Sequence, residues 1–153
     1  MREQTWVAAL LPMRLVTGWL FLMASMQKLM GHWLDEPKLL GVLQGWIKDG
    51  RPYAFYAPFL SGVVIPHVKL FTYAVVGGEL AVGAALLAGL FTRPACVGGV
   101  LLVLNFFLGH GDGLSFNNTA LTLVILITLM LTHPGRTLGL DAALKGKVPS
   151  WLS

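Results

Sequence analysis

The chain has a single cysteine, Cys96, in 153 residues. That excludes an internal disulfide and any C-x-x-C redox or zinc motif. Charge is scarce as well: 12% of residues are Asp, Glu, Lys or Arg, against about 25% in an ordinary soluble domain. The net charge of +4 is scattered, and without a basic run or a stacking module it makes no nucleic-acid surface. No His, Glu and Cys residues stand at metal-ligand spacing, and no haem, flavin or Ser-His-Asp pattern is visible. Gly77-Gly78 lies inside an apolar run, so it builds no phosphate-binding turn. No internal repeat or low-complexity tract divides the chain, and its length suits one domain, residues 1–153.

What is abundant is apolar. Hydrophobic residues make up 56% of the sequence, and they collect in four runs, at about 6–30, 68–91, 94–110 and 114–132. A helix crosses a bilayer in ~20 residues. The third and fourth runs are short for that, so tilt or local thinning is expected. The first run is too long for a secretory signal, Arg14 interrupts it, and no A-x-A site follows. Tight links join the last three runs, Thr92-Arg93-Pro94 and residues 109–113, which makes neighbouring helices antiparallel. The expected fold is all-α and integral to the membrane: a four-helix transmembrane bundle. Arg2, Arg93, Arg136, Lys145 and Lys147 fall on one side and the 109–113 turn has no Lys or Arg, so both termini are expected in the cytoplasm.

The first loop, residues 32–67, is too long for a plain connector. Leu39, Leu40, Leu43, Trp46 and Ile47 fall at helical spacing, with Asp35 and Glu36 ahead as capping residues and Gly50 behind as a stop. This predicts an amphipathic interfacial helix on the outer membrane surface. Tyr53, Phe55, Tyr56 and Phe59 follow, broken by Pro52 and Pro58. They read either as interfacial anchors or as a lid over an opening between helices for a lipid-soluble ligand.

Two charges stand inside apolar runs, Arg14 in the first and Glu79 in the second. Each costs about 2.5–3.5 kcal/mol at a membrane centre, and the cheapest explanation makes them partners. Arg14, Gly18, Phe21, Ser25 and Lys28 share one helix face. So do Gly98, Leu102, Asn105 and Gly109, and likewise Asn118, Thr122, Ile125, Leu129 and Thr132. Glu79 stacks over Gly83, while Gly77, Ala81, Ala85 and Gly89 form a small-residue ladder that predicts close packing on a second face. Helical rise puts Arg14 ~12 Å deep, Glu79 ~18 Å, and Asn105 and Thr122 ~16 Å. A polar layer near mid-membrane is therefore expected, with a ligand site bounded by Arg14, Glu79 and Asn105. It would open towards Lys28 and His110. Lys28, His32, His110, Asp112, Asn117 and Asn118 lie nearer the outer surface. The competing reading takes Asn105 and Thr122 as interhelical glue, Arg14–Glu79 as a structural ion pair, and His32 and His110 as interfacial residues.

Three stretches look familiar together. They are R-x-x-x-G-x-x-F-x-x-x-S-x-x-K from Arg14 to Lys28, G-E-L-A-V-G-A-A-L-L-A-G-L-F-T-R-P-A from Gly78 to Ala95, and G-R-T-L-G-L-D from Gly135 to Asp141. The chain resembles the DoxX/DoxD superfamily of small four-helix membrane proteins. The aromatic loop and I-P-H-V-K-L-F are closer to the DoxD branch, the membrane subunit of thiosulfate:quinone oxidoreductase. The family motifs fall on Arg14, Gly18, Lys28, Glu79, Gly83, Arg93 and Asp141, with Ser25 where the family often has glycine. The resemblance implies a bacterial or archaeal cytoplasmic membrane, a redox role with quinone as electron acceptor, and other membrane subunits as partners.

Two functions follow. In the first, the chain is a subunit of a quinone-linked oxidoreductase, with thiosulfate approaching past Lys28, His32, Lys69 and His110. Arg14 and Glu79 then serve catalysis, and Arg14, Glu79, Asn105, Lys28 and His110 bind the quinone. In the second, the bundle is a non-catalytic assembly subunit of a larger respiratory or photosynthetic membrane complex.

Overall fold

The computed structural model describes residues 10–111, 118–132 and 139–143, and every regular element among them is helical. Helix α1, Leu11–Met30, opens with Pro12 in its first turn, where no backbone N–H is needed. In the loop, α2 (Lys38–Lys48) occupies the segment marked by its leucine spacing. Asp35 and Glu36 do not cap it; Pro37 holds the cap position, and Glu36 pairs with Lys38 at 3.1 Å. A short helix, α3 (Ala57–Phe59), then widens into a π-helical turn over Leu60–Val64.

Helix α4, Val68–Ala88, ends at Gly89, whose φ of 64° few side chains tolerate. The next helix, α5, runs over Thr92–His110. Thr92, Arg93 and Pro94, expected as a link, are instead the first turn of α5. The turn between helices is residues 89–91. Proline suits a first turn, and the cap that makes this start possible comes from elsewhere in the chain. Asp141, in the short helix α7 (Leu140–Ala143), accepts hydrogen bonds from the backbone N–H of Phe91 at 2.8 Å and of Thr92 at 3.1 Å. It also accepts from the Thr92 hydroxyl at 2.8 Å, so a carboxylate distant in sequence does the work of an N-cap. Helix α6 spans Asn118–Thr132. Of the expected features, Arg2, Asp112, Asn117, Arg136, Lys145 and Lys147 lie outside the described residues.

Helix α1 lies along α4, α4 along α5, and α5 along α6, which also touches α1. The α1–α4 contact is close because two glycines face it. A Cβ on Gly83 would stand 2.7 Å from the Leu22 nitrogen, and one on Gly18 3.0 Å from the Leu87 nitrogen. Phe21, Val82, Leu86, Cys96, Val103, Leu126 and Leu129 form the core. A second cluster, Leu39, Leu43, Leu60 and Val64, seats the loop helices. Among the described residues the small-residue ladder of α4 is packed only at its end, where a Cβ on Gly89 would stand 2.7 Å from the Gly139 Cα. Gly77 has open space around it, Ala81 is exposed, and Ala85 borders a groove.

Helices α4 and α5 are long and apolar enough to cross a membrane, and α6 is a shorter apolar helix. Their outward residues suit lipid contact: Leu70 is 67% exposed, Leu101 56% and Val124 61%.

Candidate functional site

The charges inside the apolar runs do not pair as expected. Glu79 is met by Lys28, whose Nζ donates to Oε1 at 2.8 Å and to Oε2 at 2.7 Å. Helix register explains this. The Ser25 hydroxyl donates to the Val76 carbonyl at 3.0 Å, and Leu22 faces Gly83. The antiparallel crossing therefore brings the last turns of α1 to the level of Glu79. The same register carries Arg14 to Gly89, ten residues and ~15 Å of helix from Glu79. There its guanidinium fills the space that a side chain at Gly89 would need, within electrostatic reach of Asp141. Arg14, Thr92 and Asp141 are all buried.

Lys28 reaches Glu79 by laying its apolar stem along the interface. Its ammonium also stands 5.7 Å from the Trp33 ring and 5.8 Å from the Phe106 ring, the range of cation–π attraction. The pair thus sits at the end of the α1–α4 seam nearer the loop, roofed by aromatic rings.

Beside it lies a cavity of about 210 Å³ between the loop helices, α4 and α5. Leu39, Leu43 and Leu60 line it from the loop, and Phe71 and Val75 from α4. Two polar groups reach it. The Tyr56 hydroxyl donates to Asn105 Oδ1, and Asn105 Nδ2 donates to the Leu101 carbonyl at 2.6 Å. Burial pushes the Tyr56 phenol above its ordinary ionisation range, so it stays a protonated donor. Leu102 and Phe106 line both this cavity and the hollow that Glu79 borders. One layer of side chains separates the ion pair from the cavity.

The loop is held down as a cover. The Trp46 ring lies on Gly109, where a Cβ would approach it to 2.7 Å. It also meets Phe106 edge-on, with centroids 6.3 Å apart. The Tyr53 N–H donates to the Leu108 carbonyl at 3.2 Å, and Arg51 Nη1 stands 2.9 Å from His110 Nε2.

A comparison with protein families matches residues 9–111 to DoxX. The chain belongs to the DoxX family. It is a membrane protein, consistent with its apolar helices. Neither the curated proteins nor the solved structures gave a match.

In this DoxX-family chain the five expected site residues divide into four places. Lys28 and Glu79 are together; Asn105 is in the adjoining cavity with Tyr56; and His110 is clamped by Arg51 and Trp46 on the loop side. Arg14 belongs to the far end, with Gly89 and Asp141. With Arg14 there, Arg14 and Glu79 share no single polar layer, and Thr122 donates to the Asn118 carbonyl of its own helix at 2.6 Å. The sequence alone does not single out Tyr56, Trp46 or Asp141 as partners. For Asp141 a signal existed, because Phe91 precedes the T-R-P helix start where Ser, Asp or Asn would normally cap. Among the described residues, no three His, Cys, Asp or Glu side chains group to hold a metal ion.

Proposed function

We propose that this chain is a membrane-embedded subunit of a quinone-linked oxidoreductase, built as a four-helix transmembrane bundle with its loop on the outer side. The observation that carries the reading is the lidded cavity: apolar on nearly all sides, with the Tyr56–Asn105 hydrogen bond at its wall and the Lys28–Glu79 pair one side-chain layer away. Small-molecule sites have this character, mostly apolar with a few placed polar groups.

The residues fit a quinone ring. An apolar cavity of ~150 Å³ accepts a benzene ring, and this one measures about 210 Å³. Trp46, Tyr56 and Phe106 supply aromatic walls. A bound quinone supplies an acceptor for two electrons and two protons. The chain's own residues do the rest. Tyr56 can turn its hydroxyl from Asn105 Oδ1 to a ring oxygen, and the Asn105 amide can donate to the same oxygen. Trp46 and Leu43 exclude water from above. Glu79 holds or releases a proton at its carboxylate, while the Lys28 ammonium compensates its charge. Arg14 stands outside this role, since its neighbours are Gly89 and Asp141.

Extraction of the protein purified in mild detergent tests the reading. Wild type should carry a quinone in near-stoichiometric amount, and Asn105→Leu should carry far less. Equal quinone per protein in both, at the level of bulk lipid, with stable co-purifying subunits, would instead favour a non-catalytic assembly subunit.

A further inference from the structure

We propose that the groove between α4 and α5 holds the hydrocarbon tail of the ligand whose ring occupies the lidded cavity, an inference that rests on the quinone-binding reading above. The two spaces are contiguous. Ala74, Leu101 and Leu102 line both the cavity and a groove of about 500 Å³ that runs on along the helix pair. Its walls are Gly78, Ala81 and Ala85 on α4, and Ala95 and Gly98 on α5. Larger side chains at these five positions would fill the trough, so its existence is a direct result of their size. From Ala74 to Ala85 it follows ~16 Å of helix, and Phe91 and Pro94 close its far end.

The order of polarity along this path fits one amphiphile. Tyr56 and Asn105 stand at the cavity end, and no charged residue lines the groove beyond them. A ring with polar oxygens belongs at the first position and a long apolar chain at the second. Ala74, Ala81 and Leu101 are exposed, so the groove opens sideways to the bilayer. A lipid-soluble ligand can enter there without passing its tail through water. Since lipid is as apolar as the groove, the tail gains little from burial itself. What the groove contributes is alignment, with the ring brought to Tyr56 in one orientation.

The test uses the full chain in lipid nanodiscs and a benzoquinone carrying a decyl chain that ends in a diazirine. Adducts after irradiation are expected within residues 78–98, and excess decyl quinone without the diazirine should abolish them. In Ala81→Phe, affinity for the decyl quinone should fall about tenfold, the scale of overpacking, while a tailless benzoquinone changes less than about twofold. Gly98→Leu is a second variant, chosen because a Cβ there meets only Val82 Cγ2, at an ordinary contact distance of 3.5 Å. It should give the same split. Adducts scattered over outward residues of α1 and α6, such as Val16 and Val124, would overturn the tail assignment. So would adducts bridging to a second copy of the chain, or unchanged decyl-quinone affinity in both variants. If the tailless ring still binds, only the tail inference falls; if neither probe binds wild type, the headgroup reading falls with it.

Discussion

Lys28 Nζ lies within 2.8 Å of both carboxylate oxygens of Glu79, on a helix 51 positions further along the chain. The pair is largely removed from solvent, with side-chain exposures of 15% and 5%. Deleting one member of such a pair strands the other at ~3–5 kcal/mol, while removing both together costs far less. Lys28→Leu and Glu79→Leu should therefore each lower thermal stability in detergent more than the double variant does. Arg14→Leu and Glu79→Leu should combine additively within ~0.5 kcal/mol. Strong coupling between Arg14 and Glu79, and none between Lys28 and Glu79, would contradict the pairing.

Gly83 lies in the close contact between α1 and α4. Gly83→Ala puts a Cβ 2.7 Å from the Leu22 nitrogen and should cost ~1–3 kcal/mol, the range of an overpacked contact. Gly77→Ala enters open space and should be neutral or slightly stabilising. Unfolding monitored by tryptophan fluorescence separates the two. Equal effects would mean that the helices meet elsewhere.

The difference between expectation and structure is mostly one of register. Helix positions, the loop helix at Lys38–Lys48 and the polar face Arg14–Ser25–Lys28 were legible, because they depend on spacing along one chain segment. Which of Arg14 or Lys28 meets Glu79 was not, because depth measured from run ends carries an error of a turn or more. Observed contacts at Gly18, Leu22 and Ser25 correct that error. The small-residue ladder is packed at Gly89 and open along Gly77 and Ala81, since composition does not say whether a groove is filled by a helix or left open. Trp46 was visible only as one apolar residue in an amphipathic helix. Its contact with Gly109 depends on how the loop folds back.

Asp141 replaces a local cap for α5. Asp141→Ala removes three hydrogen bonds to Phe91 and Thr92 and should cost at least the ~0.5–2 kcal/mol of a lost N-cap. Asp141→Asn, which keeps an acceptor, should retain part of it. Hydrogen exchange at the Phe91 and Thr92 amides reports the loss directly. Unchanged protection in Asp141→Ala would remove α7 from the account of how α5 begins.

Tyr56 should ionise later than an ordinary tyrosine, because burial disfavours the phenolate. The sign for stability follows. The folded pKa is raised, so the contribution is intact below the unfolded value near 10 and is lost as pH rises through the folded one. Spectroscopic titration of wild type against Tyr56→Phe should show one late-ionising phenol missing in the variant. A difference spectrum with an ordinary midpoint would place Tyr56 in water.

Trp46 lines the cavity itself, which makes it the most direct reporter of a quinone bound there. In a variant that keeps Trp46 as its single tryptophan, a benzoquinone should quench fluorescence saturably, and Tyr56→Phe with Asn105→Leu should weaken binding about tenfold, as expected for losing hydrogen bonds of ~1.4 kcal/mol in total. Quenching that rises linearly with quinone in the membrane, and is the same with or without Tyr56 and Asn105, would contradict a quinone site under the loop.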